Sequence, residues 1–225
     1  MKKISILALV STLMLAACKE NKTDTATTST EQNVAEQKGE TFNVDTEGSV
    51  VKWTAYHKGG LNPRFGIMKT TGNLSVENGN LTAGTLNSDV NTLLTDPTAV
   101  DPKLSDGKTS IDLDNHLKSP DFFDVSKYPS VKFEITKIEE LPQNSPKSQV
   151  EGANKQVSGN LTIKGKTVNV TFPAKVDIKE NQVSLTSKFT INRADWGLAY
   201  GTEGDPKDWM ISKDVDLDLN IIANK

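Results

Sequence analysis

The chain has 225 residues, of which 35% are hydrophobic and 24% charged, a composition typical of a globular domain and too polar for a multi-span membrane protein. Its 26 basic and 29 acidic residues give a formal net charge of -3 without a basic stripe, which argues against nucleic acid as a partner. A single cysteine excludes an intramolecular disulfide and a cysteine-rich zinc site.

Residues 1–17 are predicted to be a lipoprotein signal peptide. Two lysines follow Met1, and an apolar run of about a dozen residues, too short to span a bilayer, leads to small residues before Cys18. The last four residues, Leu15-Ala16-Ala17-Cys18, resemble the bacterial lipobox, in which the chain is cut before the cysteine and its thiol is lipidated. Cys18 is therefore the predicted lipidation site and membrane anchor. The alternative is an ordinary signal peptide with Cys18 left as a free thiol.

Residues 18–40 are predicted to be the lipidated N-terminus followed by a disordered tether. This segment is rich in Thr, Glu and Lys and has almost nothing to bury. A flexible chain of this length spans roughly 25 to 30 Å root-mean-square, which would let the folded part stand off the bilayer. The expected location is the bacterial cell envelope, on the periplasmic or cell-surface side.

From residue 41 onward the hydrophobic period is two, which predicts strands with one buried face. Turn signals occur at Asn78-Gly79, Lys164-Gly165 and Glu180-Asn181. The predicted strands cover residues 42–44, 50–56, 65–76, 81–90, 131–136, 157–163, 168–178, 183–191 and 215–221.

A short helical flap is predicted between Ser110 and Tyr128, with Ser110 as the helix cap and a second turn carrying Phe122 and Phe123. Residues 93–108 and 141–154 lack a period and carry Pro, Asp and Ser, so they are predicted to be surface loops. About eight strands joined mostly by tight turns favour an all-β antiparallel fold, either a closed up-and-down barrel or a sandwich.

Four motifs in order resemble the YceI-like family, over roughly residues 41–224. The most specific runs from Asn115 to Val125 (NHLKSPDFFDV) and is followed by Tyr128-Pro129 and Lys132-Phe133. The others are Val51-Lys52-Trp53 with a Gly66 to Gly72 hairpin, the stretch GNLTIKGKT at 159–167, and INRADWG at 191–197.

The resemblance implies an extended lipocalin-like barrel over residues 41–225, with a long apolar interior that binds a polyisoprenoid or another long-chain amphiphile. The residues alone predict a barrel but not its ligand, because barrels of about eight strands are either filled by side chains or hold one small ligand. No cofactor is expected beyond such a lipid.

Large apolar side chains are the candidate lipid contacts, with core packing as the alternative for each of them. Phe122 and Phe123 stand out, because adjacent rings on a short turn cannot both enter one core layer and one of them is free to close the mouth of a pocket. The candidates are Trp53, Phe65, Ile67, Leu117, Phe122, Phe123, Phe133, Phe172, Phe189 and Trp196.

His116, Lys118 and Arg193 are the candidate head-group contacts, because they flank the apolar motifs and carry donors for a phosphate or amide. The alternative for Arg193 is an ion pair with Asp195 or another strand carboxylate, and for His116 a partly exposed position at a helix end. Two histidines and one cysteine with no ligand spacing give no reason to expect a metal.

Catalysis is not expected, because no nucleophile-base pair or G-x-S-x-G elbow stands out. The leading hypothesis is a non-catalytic lipid-binding lipoprotein, whose partners are a lipid ligand and a membrane and which could form a homodimer. The alternative is an envelope interaction or stress protein with a solid barrel, which binds a partner protein through its loops, above all residues 93–108.

Overall fold

The computed structural model describes residues 24–143, 145, 147–202 and 211–225. The predicted signal peptide and Cys18 lie outside the described residues. The strands are β1 (Asp24–Thr25), β2 (Thr27–Ser29), β3 (Glu40–Val44), β4 (Val50–His57), β5 (Leu61–Met68), β6 (Thr70–Glu77), β7 (Asn80–Asp89), β8 (Leu94–Thr95), β9 (Ser130–Glu140), β10 (Lys155–Ile163), β11 (Lys166–Lys179), β12 (Gln182–Asn192) and β13 (Ile211–Asn224). The α-helix α1 covers Ser110–Lys118, and short 3-10 turns cover Val90–Thr92, Pro97–Ala99, Pro102–Leu104 and Arg193–Trp196.

Eight antiparallel strands close into a barrel, in the order β12-β11-β10-β9-β7-β6-β3-β13, with β13 pairing back to β12. Where neighbouring strands pair, closure leaves no open edge, which is how antiparallel barrels avoid exposed backbone groups. The expected closed barrel of about eight strands is confirmed, and the sandwich alternative is not observed.

The predicted strand over residues 65–76 is in fact two strands, interrupted at Lys69. β5 pairs with β4, whereas β6 pairs with β3 and β7, so the segment from Gly66 to Gly72 is not a hairpin. β4 and β5 extend the wall at one end of the barrel, and β8 adds two residues to the outer edge of β5.

The tight turns between strands distinguish the two ends of the barrel. Asn78-Gly79 and Lys164-Gly165 have positive φ at both positions, the geometry of a type I′ hairpin turn, which Asn and Gly tolerate best. We call the end that carries the turns at 78–79 and 180–181 the lower half, and the end that carries the turn at 164–165 the upper half.

Closely packed side chains fill the lower half. The alternating inner residues of the strands meet there, and Leu74, Val157 and Ile221 are 0% exposed. Close packing of this kind leaves no room for a ligand. The other members of this lower core are Phe42, Val76, Leu81, Ile135, Ala174, Val176, Val183, Leu185 and Ala223.

The flap (residues 110–128) lies over the upper half. Its helix begins one residue earlier than expected, since Thr109 rather than Ser110 is the cap, and the Asp112 carboxylate accepts hydrogen bonds from the Thr109 backbone N–H and hydroxyl, both at 2.8 Å. Buried Asp114 ties the helix to β8 by accepting from the Thr95 N–H at 2.8 Å and hydroxyl at 2.5 Å. None of the helices described is long and apolar enough to cross a bilayer.

The N-terminal strap (residues 24–37) lies against the barrel, in contrast to the disordered tether expected for this region. β2 pairs with β11 and β1 pairs with β12. Further on, the Gln32 N–H donates to Asn160 Oδ1 at 3.0 Å and the Ala35 N–H donates to the Ile135 carbonyl at 2.9 Å. Thr-rich segments favour an extended backbone. The strap has few apolar side chains to bury, and it is held to the barrel by backbone pairing with β11 and β12 instead.

Candidate functional site: the upper barrel cavity

The upper half of the barrel encloses a cavity of about 330 Å³. This volume is at the small end of the range for ligand pockets, roughly 300 to 1,000 Å³. The wall is apolar except for Tyr56, His57, Arg64, Thr70, Ser88 and Arg193, and no carboxylate of the described residues lines it. Its apolar members include Val51, Ala55, Met68, Leu86, Leu93, Leu113, Val131, Leu161, Ile163, Val170, Ile191, Leu198, Ile211, Val215, Leu217 and Leu219.

Three phenylalanines form the floor of the cavity, above the lower core. The Phe172 and Phe189 rings are stacked with centroids 4.0 Å apart and planes within 5°. Phe133 lies against Phe172 with centroids 5.8 Å apart. This aromatic packing forms an apolar surface beneath the cavity. All three residues line the cavity, where the sequence placed them.

The flap forms the roof. Leu117, Phe122 and Phe123 all line the cavity, as does Trp53 on β4. The Phe122 ring is 8% exposed and packs edge-on against His116, with centroids 5.1 Å apart, while the half-buried Phe123 packs against hydrophobic clusters on both sides. Both adjacent rings therefore line the cavity, and Phe122 also packs against the rings of His116 and Tyr200.

Phe65 and Ile67 do not line the cavity, which corrects the expectation from sequence. Trp53 pairs with Gly66, so Gly66 faces inward and its neighbours Phe65 and Ile67 face outward. Gly66 has no room for a side chain, because an added Cβ would lie 2.2 Å from the Leu94 carbonyl oxygen and 2.8 Å from Cζ2 of Trp53. The backbone of β8 and the indole together occupy this space.

Trp196 is also absent from the cavity wall. It is 2% exposed in the hydrophobic core, and its indole N–H donates to the Leu161 carbonyl at 2.8 Å. A buried indole with a satisfied donor is a structural residue. For Trp196 the alternative of core packing is the better description.

Arg193 lines the cavity, but its guanidinium holds the backbone together. Its Nε donates to the Ser212 carbonyl at 3.0 Å, Nη2 donates to the Tyr200 carbonyl at 2.9 Å, and Nη1 donates to the Leu198 carbonyl. The guanidinium carbon also lies 5.9 Å from the centroid of the Phe122 ring. The geometry therefore gives Arg193 a structural role.

His116 and Lys118 lie in the last turn of α1 and do not line the cavity. His116 Nε2 is 3.1 Å from Asp121 Oδ2, and the imidazole packs edge-on against Tyr200 with centroids 4.9 Å apart. This matches the alternative of a partly exposed helix-end residue. Both side chains lie on the outer side of the flap, so a ligand head group would contact them only if it extended out of the cavity.

Two polar atoms that the sequence did not single out stand in the wall. Trp53 Nε1 and His57 Nδ1 are buried and have no hydrogen-bond partner among the described residues. Trp53 was expected only as an apolar contact, and His57 was not a candidate. In the sequence, Trp53 lies in the predicted strand over residues 50–56 and His57 follows directly after it. This places the two residues close together along the chain but does not show that they share a cavity.

A hydrogen-bond network joins β4, β13 and β12 on the outer side of the upper wall. The Tyr56 hydroxyl donates to Asp216 Oδ2 at 2.9 Å, and the Thr190 hydroxyl donates to Asp216 Oδ1 at 2.7 Å. Burial, helped by the carboxylate, raises the pKa of Tyr56 to about 12, so the phenol stays neutral at physiological pH. No group of three or more His, Cys, Asp or Glu able to hold a metal occurs in the part of the chain that is described.

The strap completes the upper wall. β11 and β12 pair with each other only over residues 175–179 and 182–186, in the lower half. Above that point β2 pairs with β11 at 169–171 and β1 pairs with β12 at 189–190, so the strap occupies the gap between them. Phe172 and Phe189, which line the cavity, stand beside this gap.

A closed antiparallel barrel with an apolar cavity under a flap defines a β-barrel binding protein. The YceI-like domain model matches residues 42–223, and the chain belongs to this family. It is 34% identical to a UPF0312 protein of Pseudomonas aeruginosa (strain LESB58) over 36% of this chain and 39% of that protein. It is 30% identical to a UPF0312 protein of Staphylococcus aureus (strain N315) over 48% of this chain and 58% of that protein.

The matched region thus spans between two fifths and three fifths of the length of these two relatives. Among solved structures, BcnA of Burkholderia cenocepacia superimposes with a TM-score of 0.57 at 18% identity. The alignment covers 80% of this chain and 99% of BcnA. At this identity the likeness concerns the fold.

Proposed function

We propose that the protein binds a long-chain amphiphile, such as a polyisoprenoid, in the upper cavity and does so without catalysis. The observation that carries this proposal is the wall itself, which is predominantly apolar and has no carboxylate among its described members. Burying ten methylene groups there would contribute roughly 8 kcal/mol of transfer free energy before the cost of association.

The contrast between roof and floor supports a site that opens and closes. The floor rings are packed into the lower core, whereas the flap is held by separate contacts: Asp114 accepts from Thr95, the Lys164 ammonium donates to the Pro120 carbonyl at 2.7 Å, and the other contacts are ring and apolar packing. An amphiphile could enter when the flap lifts, with its tail toward Phe172 and Phe189.

We also propose that Cys18 is lipidated and holds the barrel at a membrane of the bacterial envelope. The argument for it is the sequence at residues 15–18. Asp24 is already bound to β12, so at about 3.5 Å per residue the six-residue connection from Cys18 reaches at most roughly 20 Å. The barrel would then sit close to the bilayer, with its upper wall near the anchor. Labelling cells with an alkyne fatty acid should mark the protein and not its Cys18→Ser variant.

The proposal is tested by native mass spectrometry of residues 19–225, exported behind a cleavable signal and purified without detergent. We expect an adduct of several hundred daltons that solvent extraction removes. A mass without adduct, together with no uptake of added prenyl or fatty ligands, would refute it.

A control variant links the adduct to the cavity. Phe172→Trp enlarges a floor residue and should displace the adduct, whereas Phe65→Trp, on the opposite face of the wall, should leave it in place. The alternative of a solid barrel that serves only as a scaffold fits the lower half well, but it leaves the upper cavity without a role.

A further inference from the structure

Two residues that line the cavity, Trp53 and His57, each carry a ring nitrogen that needs a partner. Trp53 Nε1 and His57 Nδ1 are buried atoms and lack a hydrogen-bond partner in the described chain. Buried polar groups in native proteins are almost always satisfied, so each exception needs an explanation. Ser75 Oγ, the third such atom, belongs to a residue outside the cavity lining.

The Trp53 donor is fixed in place. The residue is 8% exposed, its indole lies over Gly66, and it packs with Met68 and Leu93. Its neighbours from the flap, Leu117 and Phe123 among them, are apolar and supply no acceptor through their side chains. An indole N–H can only donate, so what completes this site has to be an acceptor.

The surroundings select the charge of that acceptor. An anion at this depth would lose its hydration among apolar side chains, a cost that a single neutral donor does not offset. The two arginines of the wall are engaged elsewhere, since Arg64 Nη1 donates to the Ala99 carbonyl at 2.8 Å and Arg193 donates to backbone carbonyls. An uncharged oxygen meets no such penalty.

We infer that the ligand carries an uncharged oxygen, a hydroxyl or a carbonyl, which accepts a hydrogen bond from Trp53 Nε1 beneath the flap, with His57 Nδ1 as a second polar contact. The inference rests on the proposed function and names the ligand's polar chemistry. It places that oxygen inside the barrel, below Leu117 and Phe123, instead of at the solvent side beside His116 and Lys118.

Three probes with the same fifteen-carbon chain test the inference on the residue 19–225 protein, namely farnesol, β-farnesene and farnesyl monophosphate. Isothermal titration calorimetry should give farnesol an affinity about three- to tenfold higher than that of β-farnesene, the range for one net hydrogen bond. Farnesyl monophosphate should bind more weakly than farnesol. In ¹H–¹⁵N spectra farnesol, but not β-farnesene, should move one indole N–H signal downfield.

Variants assign the effect to the indole. Trp53→Phe keeps an aromatic ring and removes the donor, so it should lower the affinity for farnesol to that for β-farnesene and abolish the shifted indole signal. Phe172→Leu, a matched change in the floor, should weaken both probes to the same extent. Circular dichroism and thermal melts verify that both variants fold, and the wild-type comparison of probes stands even if one of them does not.

The outcomes separate the two proposals. Equal binding of farnesol and β-farnesene with no indole shift would overturn the oxygen contact and leave the lipid-binding function intact. Tighter binding of farnesyl monophosphate would overturn the uncharged head group. Failure of all three probes to bind would overturn the inference together with the proposed function.

Discussion

The lower and upper halves of the barrel use the same strands but differ in how completely side chains fill them. The inner face of β13 shows this difference. In the upper half Val215 and Leu217 are half-buried and line the cavity, whereas in the lower half Ile221 and Ala223 are 0% exposed. Alternation therefore specifies which face points inward and leaves open whether the interior is filled. The packed lower half therefore contributes more to stability than the upper half, in which a cavity replaces part of the side-chain packing.

The largest expected effect is on stability, from a substitution in the lower half. Leu74→Ala removes a 0% exposed side chain from the lower core and should cost about 2 to 5 kcal/mol of unfolding free energy, through lost transfer and a residual cavity. Urea denaturation measures it. The exposed Leu61→Ala on β5 is the control and should change stability little. A cost for Leu74→Ala below that of an upper-half variant would contradict the contrast.

A second prediction separates the strap from the strands. Asn160 is 1% exposed, accepts from the Gln32 N–H at 3.0 Å and donates to the Gln32 carbonyl at 2.7 Å. Asn160→Ala leaves these groups unpaired, also removes one acceptor of the Asn169 side-chain amide on β11, and should cost about 1 to 3 kcal/mol.

Hydrogen exchange should show the loss mainly in residues 24–35, with faster ligand exchange through the gap between β11 and β12. Asn80→Ala, at an exposed turn, is the matched control. Uniform loss of protection over the whole barrel would mean that the strap is not a separate unit.

A third prediction concerns a substitution in the upper half, which should affect binding more than stability. Leu217→Ala in the cavity wall should cost only about 1 kcal/mol, because the side chain already borders empty space. The same change should weaken binding of farnesol, since it removes apolar contact area from the wall. Leu74→Ala should do the opposite, with a large stability loss and little change in affinity for the protein that remains folded.

Much of the fold was predictable from sequence, because the barrel strands carry a period-two pattern and short turn signals such as Asn-Gly and Lys-Gly separate several of them. These local signals predict the strands and the inward direction of Phe133, Phe172 and Phe189, and helix-capping residues predict the flap, whereas the choice of a barrel over a sandwich was settled by the structure. Phe65 and Ile67 were misplaced because their inward or outward direction depends on the register between Trp53 and Gly66, which is a property of two strands.

The strap and the polar site were not predictable for a related reason. Residues 24–37 have the composition of a disordered tether, and their order comes from an unpaired stretch of β11 and β12 far along the chain. The unpartnered nitrogens of Trp53 and His57 are likewise a result of burial, which no residue pattern reports.

The smallest effect concerns acid. Among the described residues the carboxyls with a lowered pKa are Asp96, Asp112 and Asp124, all in or beside the flap, and for Asp112 the cause is first the Thr109 backbone N–H and then its hydroxyl. A folded pKa below the unfolded value contributes stability above the unfolded pKa of about 3.9, and that stability is lost as the pH falls through the folded pKa.

The upper half should therefore loosen before the lower half as the pH drops below about 4, because it holds these three carboxyls. Amide exchange in α1 measured from pH 5 to 2.5 should accelerate beyond the intrinsic rate, while β12 stays protected. Asp112→Asn should remove part of the pH dependence in α1, and Asp177→Asn on β11 should not. Simultaneous loss of protection in both halves would indicate that the flap and the packed core unfold as one unit. The stability of the upper half would then depend on the lower core and not on the hydrogen bonds of its own carboxyls.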